Sequence, residues 1–150
     1  MITKEVIERA TTHRRHLHMY PEVSGEEVET TRYIRETLEK MGLTCWDLQS
    51  KTGVVAEIGN GEAPTLALRA DIDALPIVEQ TGLDYASKNE GAMHACGHDF
   101  HTASLLGAVQ VLKEQEASLK GKVRFIFQPA EESNRGARAL ISEGVLDGVD

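Results

Sequence analysis

The sequence has no apolar stretch long enough to span a membrane. Its opening residues, MITKEVIERATTHRRH, lack the apolar core and small-residue cleavage site of a secretory leader. Both absences argue for the cytoplasm. Positive charge is also short: Lys+Arg number 16 against 24 Asp+Glu, a formal net charge of −8. Without a basic stripe the chain is no nucleic-acid binder, and without a polybasic cluster it is no membrane-surface protein. Cysteine is scarce, with Cys45 and Cys96 only. A reducing compartment argues against a disulfide between them. No second Cys/His pair stands at structural spacing, which excludes a zinc finger. There is no internal repeat, low-complexity tract or linker. What remains, 150 residues with 41 % hydrophobic and 27 % charged, is one ordinary globular domain able to bury a core.

Periodicity outlines the elements. Val6, Ala10, His13 and Leu17 recur at spacings of three and four, predicting a helix from 3 to about 19 that stops before Pro21. Ser24 and Glu27 form a capping-box pattern ahead of a second helix, with Thr31, Ile34, Leu38 and Met41 as its stripe and Gly42 as its stop. Strands are expected at Val54 to Ile58 and Thr65 to Ala70, joined as a hairpin around Asn60-Gly61. Asp71 to His94 has no period and reads as a long loop, of a length that tends to be functional or mobile. A third helix should cover His98 to about Glu116, a third strand Lys122 to Gln128, and a last helix Arg135 to Glu143. Alternating strands and helices argue for an α/β layered fold.

Three segments concentrate reactive side chains, each where a strand ends or a helix begins. The first is Arg69 to Pro76, in which Asp71 and Asp73 share a face of extended chain. They could bind metal or orient a ligand histidine; taken alone, they are equally an acidic turn. The second is Met93 to His101, with His94, Cys96, His98, Asp99 and His101. Thiolate and imidazole suit a borderline-soft ion such as zinc, and Gly97 lets the backbone turn so that both face one point. Asp99 could hold a ligand imidazole in its tautomer. The bland alternative is a buried cysteine with helix-capping histidines, against which the density of ligand types counts. The third is Phe127 to Glu132, where the adjacent carboxylates Glu131 and Glu132 leave a strand in different directions. One could reach a metal while the other works as a general base; alone, the pair is also what a helix start favours. His13 reads as a packed histidine, His16 and His18 as surface or loop groups, Cys45 as a small buried thiol, and Arg135 and Arg138 as solvated charges.

Together these motifs resemble one family. Arg15-His16-Leu17-His18 with Pro21-Glu22, Arg69 to Pro76, Gly91 to Asp99, and Phe127 to Glu132 are similar to the N-terminal part of an M20-type metallopeptidase. The resemblance is to its amidohydrolase branch, with hippurate hydrolases and auxin-conjugate hydrolases. It implies helices around a mixed β-sheet, in a zinc-peptidase-like catalytic domain that is incomplete here. It implies two divalent ions, zinc or manganese, with Cys96 as a bridging thiolate and His98 and Glu132 as further ligands. Glu131 would be the general base and Asp73 a carboxylate behind the ligands. Asp71 stands where other branches have a ligand histidine. The implied reaction is amide hydrolysis of a small-molecule N-acyl amino acid. The departures are Gly25 where an aromatic is common, and Phe100 and Arg135 in place of frequent glycines. Family members are more than twice as long. They add histidine ligands and an inserted smaller domain that covers the site and makes a homodimer. The expectation is a portion of a longer enzyme; the alternatives are a dipeptidase or carboxypeptidase of the same superfamily, or a non-catalytic metal-binding or interaction fragment.

Overall fold

A computed structural model describes residues 2–60 and 64–150. Helix α1 spans Lys4–Met19, opened by Thr3, whose hydroxyl accepts from the Val6 N–H at 3.3 Å. Helix α2 spans Val28–Lys40, α3 His98–Lys113 and α4 Gly136–Ser142, with a short 3₁₀ turn at Glu116–Ser118. Strands β1, Val54–Ile58, β2, Thr65–Asp71, and β3, Lys122–Gln128, form one sheet in the order β1-β3-β2.

That order corrects the expected hairpin. The turn around Asn60-Gly61 falls largely outside the described residues, and the pairing it implied is not made. β1 pairs antiparallel with β3, Val54 opposite Phe127 and Ile58 opposite Val123. β2 pairs parallel with β3, Thr65 opposite Lys122 and Asp71 opposite Gln128. The reason is burial. KVRFIFQ is buried almost throughout, so it can only be the central strand. Parallel β2 and β3 then need a long crossover, which α3 supplies. Val123, Phe125 and Phe127 face a core shared with Ile34 and Leu38 of α2 and Leu106 and Val109 of α3. Ile126 faces the other side, with Val55, Leu140 and Val145. Helix α1 packs against α3, with Val6 and Ala10 facing Gly107.

The capping box also gives way. Glu27 makes no side-chain cap to α2, and Ser24 donates instead to Asp73. The cap comes from Glu22, whose carboxylate accepts from the N–H groups of Glu29 at 3.1 Å and Thr30 at 2.7 Å. The stripe of α2 is buried at Thr30, Ile34, Thr37 and Leu38, with Thr30 in place of the expected Thr31, and Met41 packs half-buried against the same core. Among the described residues no helix is long and apolar enough to cross a membrane.

Arg124 brings a buried positive charge into the sheet. Its guanidinium donates to Glu57 at 2.9 Å and to the carbonyls of Val145 at 2.8 Å and Asp147 at 2.9 Å, and stacks on Trp46. Burial pushes the Glu57 carboxyl up, but its pairing with Arg124 and Lys122 outweighs this and holds it below the usual glutamate range. A depressed carboxylate stabilises the fold above its unfolded pKa and loses that contribution as pH falls through the folded one. Glu57→Gln is expected to cost about 2 kcal/mol at pH 7 in urea melts. The gap from wild type should close as pH falls below the ordinary glutamate range, and a gap that persists in acid would contradict this account.

Candidate metal centre

β2 and β3 run parallel and end side by side at Asp71 and Gln128, so the segments that follow leave the same edge of the sheet. After β2, Ile72 still donates its N–H to the Gln128 carbonyl at 3.0 Å. This carries Asp73 to the edge with its side chain fully buried. The irregular run to Gly97 returns to the same edge, tied on the way by the bridge between Leu75 and Met93. Gly97 has φ +84°, which suits glycine alone, and turns the chain between Cys96 and the first residue of α3, His98.

After β3 the turn is held from a distance. The buried Glu27 carboxylate accepts from the Ala130 N–H at 2.7 Å and from Gly25 at 2.9 Å. Ala130 sits at φ +51°, a strained position for a residue with a side chain, just before Glu131. Gly136 closes the same turn: a Cβ there would lie 1.5 Å from the Pro129 carbonyl oxygen.

These turns bring Cys96, His98 and Glu132 together, with one donor atom from each lying within 4.8 Å of the others. A second group, Asp71, His98 and His101, meets the same criterion and shares His98. The His98 ring is oriented by Asp73: Nδ1 donates to the Asp73 carbonyl at 2.9 Å and to its carboxylate at 3.2 Å. Nε2 then faces acid, with Asp71 at 3.7 Å, Glu132 at 3.8 Å and Glu131 at 3.9 Å. Burial opposes charge on this ring, but the Asp73 hydrogen bond and the Asp71 carboxylate outweigh it and push His98 up to about 9. Asp73 moves the other way. Burial would raise it, yet hydrogen bonds from His98, Ser24 and the Glu132 N–H bring it down to about 2. The exposed Cys96 thiol is pushed up by the adjacent Glu132 carboxylate, then by burial and the Glu131 and Asp71 charges.

Carboxylates thus crowd a thiol and one imidazole nitrogen. Glu132 Oε1 is buried and accepts no hydrogen bond from the described residues. A donor set of thiolate, imidazole and carboxylate with surplus negative charge fits a divalent cation, which would take the proton's place on His98. The apolar groove of about 640 Å³ between α1 and α3 contains none of these groups.

Comparison with known proteins agrees with this geometry. The profile of Peptidase family M20/M25/M40 matches residues 67–150, more than half of the chain. The chain belongs to this family. It is 61 % identical over 138 residues to N-acetyl-L-cysteine deacetylase of Bacillus subtilis, covering 91 % of this chain and 33 % of that protein. It is 48 % identical over 136 residues to the IAA-amino acid hydrolase ILR1-like 5 of Arabidopsis thaliana, covering 91 % of this chain and 31 % of that one. A crystal structure of the Bacillus subtilis YXEP protein, described as a dinuclear metal binding peptidase from the M20 family, superposes with a TM-score of 0.95. The two are 55 % identical, and the match covers 99 % of this chain and 42 % of that one. The chain therefore spans about a third to two fifths of the length of the M20 relatives it matches.

Within this M20 chain, several roles differ from the sequence reading. Asp99 does not hold a ligand imidazole; Asp73 holds His98, while Asp99 accepts from His18 at 2.7 Å and Arg14 at 2.9 Å. His18 is no surface group, being 3 % exposed. His94 is buried, neither ring nitrogen has a hydrogen-bond partner among the described residues, and burial takes it down to about 4; it joins neither donor group. His101 donates to Asp71 at 2.6 Å. Ser24 and Glu27 are the groups that sequence reasoning missed, and their signal was present as a capping motif aimed at the wrong partner. Asp73→Asn keeps the shape but weakens the grip on His98. Metal affinity, measured by chelator competition, should fall about 10- to 100-fold; an unchanged affinity would remove Asp73 from the centre.

Proposed function

We propose that this chain is part of the catalytic domain of a metal-dependent amidohydrolase that removes acyl groups from N-acyl amino acids. The observation that carries the reading is the convergence of Cys96, His98 and Glu132 donor atoms within 4.8 Å, with Glu131 beside them. Family membership supports it, as do the activities named for the relatives, which act on N-acetyl-L-cysteine and on IAA-amino acids. The likeness to YXEP, a dinuclear metal binding peptidase, supports two divalent ions. Zinc or manganese suits the donors. The two donor groups, Cys96, His98 and Glu132 and Asp71, His98 and His101, share His98, so five residues face the centre, and the remaining coordination would be completed by water or by further ligands of a longer protein. An inserted smaller domain that covers the site and makes a homodimer belongs to the same proposal. A reducing cytoplasm suits a centre that needs Cys96 as a free thiol.

When bound, the ions supply Lewis acidity at the scissile carbonyl and activate the attacking water. The chain's own residues do the rest. Cys96, His98 and Glu132 hold the ions, and Asp73 keeps His98 oriented. Glu131 is the more exposed of the two glutamates, 39 % against 23 % for the side chain, so it is the one free to meet water and substrate. It takes a proton from the water as oxygen adds to the amide carbon. It then passes that proton to the leaving nitrogen as the C–N bond breaks, giving a carboxylic acid and a free amino acid.

Glu131→Gln removes the base without removing a ligand. In the complete protein, kcat on N-acetyl-L-cysteine or another N-acyl amino acid should fall by about 10³ or more, with the metal content unchanged. Wild-type turnover in the variant would overturn the assignment of the base. No turnover of any N-acyl amino acid or dipeptide by the metal-loaded wild type would favour a binding fragment instead.

A further inference from the structure

Behind the metal centre lies a buried ionic network that the proposed chemistry does not use. His18, on the last turn of α1, is 3 % exposed. Its Nδ1 is 2.7 Å from the Asp99 carboxylate and its Nε2 3.1 Å from the Glu79 carboxylate, so the ring bridges the two. The side chains of Asp99 and Glu79 are 0 % and 3 % exposed. Arg14, one turn earlier on α1, donates to the same Asp99 oxygen at 2.9 Å and to the Tyr85 hydroxyl at 3.0 Å. Glu79 goes on to accept from the Ser87 N–H at 2.6 Å and from the Thr81 hydroxyl. Lys88 closes the circuit, its N–H donating to the Met19 carbonyl at 2.8 Å.

Burying this many charges costs about as much as their attraction returns, and well-packed apolar groups would stabilise the fold as well or better. What an apolar cluster cannot supply is direction. Asp99 adjoins His98 at the start of α3, and Glu79 lies within the irregular run that begins at Asp73 and ends at Cys96. The network therefore ties the middle of that run to the helix start that presents the metal donors.

Building on the metal-centre reading above, we propose that His18 is a positioning residue for that centre. By bridging Asp99 and Glu79, it locks the start of α3 against residues 79–88, so that Cys96 and His98 hold their donor atoms on one point. It touches neither metal nor substrate.

The test is metal affinity in the complete protein, measured by competition with a chromogenic chelator and read beside the melting temperature. His18→Leu should weaken metal binding by about tenfold or more, the usual size for losing a partner behind a ligand. His18→Asn places an amide N–H where Nδ1 was, keeps the bond to Asp99, and should stay within about threefold of wild type. Ile58→Ala, a core truncation at the far end of β1, should lower the melting temperature while leaving affinity unchanged. Wild-type affinity in His18→Leu, or a loss in Ile58→Ala as large as in His18→Leu, would overturn the proposal. Should His18→Leu not fold, His18→Gln decides, because its longer amide reaches toward Glu79 and abandons Asp99. The Asn variant should then bind about tenfold tighter than the Gln variant, and equal affinities would overturn the proposal. A wild type that binds no metal, or a Cys96→Ser variant that binds as well as wild type, would instead bring down the metal-centre reading and this proposal with it.

Discussion

The Asp73 carboxylate is the point on which the site turns. It leaves the end of β2 fully buried and accepts from three separate parts of the chain: the His98 ring on α3, the Ser24 hydroxyl before α2, and the Glu132 N–H after β3. Those bonds hold it ionised, near pKa 2, in a place that would otherwise favour the neutral acid. Two of these partners, His98 and Glu132, are themselves among the three converging groups. Asp73 thus converts the sheet's rigidity into the position of the donors. The parallel pairing of β2 with β3 makes this work, because it brings Asp71 and Gln128 level at one edge.

The β3 side is held by strain and close approach. Ala130 has a positive φ, Gly136 admits no side chain over the Pro129 carbonyl, and Glu27 reaches across to the Ala130 N–H. Such a turn persists only where its surroundings over-determine it. The result is that Glu131 and Glu132, neighbours in sequence, differ in environment. Glu132 has a buried oxygen that accepts no hydrogen bond from the described residues, while Glu131 remains more exposed. In the proposed mechanism Glu132 would hold an ion and Glu131 would move a proton.

Elements whose burial is local were legible from sequence. The bounds of β1 and β3 match, β2 runs one residue further, and α1 and α3 differ from expectation by a few residues at their ends. Strand order was not legible, because a turn signal at Asn60-Gly61 is local while the choice of central strand depends on which segment is buried on both faces. The run KVRFIFQ, with Val123, Phe125, Ile126 and Phe127 supplying apolar side chains to both faces, carried that information, but only once weighed against β1 and β2. Polar partners were the least legible. Glu27 finds Ala130, 103 positions away, and His18 finds Asp99, 81 positions away. A short motif such as Ser24…Glu27 states the chemistry of its side chains and is silent on their distant partners. Cys96 and His98 stood out by the density of ligand-type residues between Met93 and His101 and Glu132 as a ligand by the family resemblance, and the fold brings a donor atom of each within 4.8 Å of the others.

The proposed centre requires Cys96 and His98 to share one divalent ion, and X-ray absorption at the metal edge of the zinc-loaded protein addresses this directly. The expected spectrum has a sulfur scatterer at about 2.3 Å beside nitrogen and oxygen at about 2.0 to 2.2 Å, with the sulfur lost in Cys96→Ser. A wild-type spectrum with only nitrogen and oxygen neighbours would contradict the shared site.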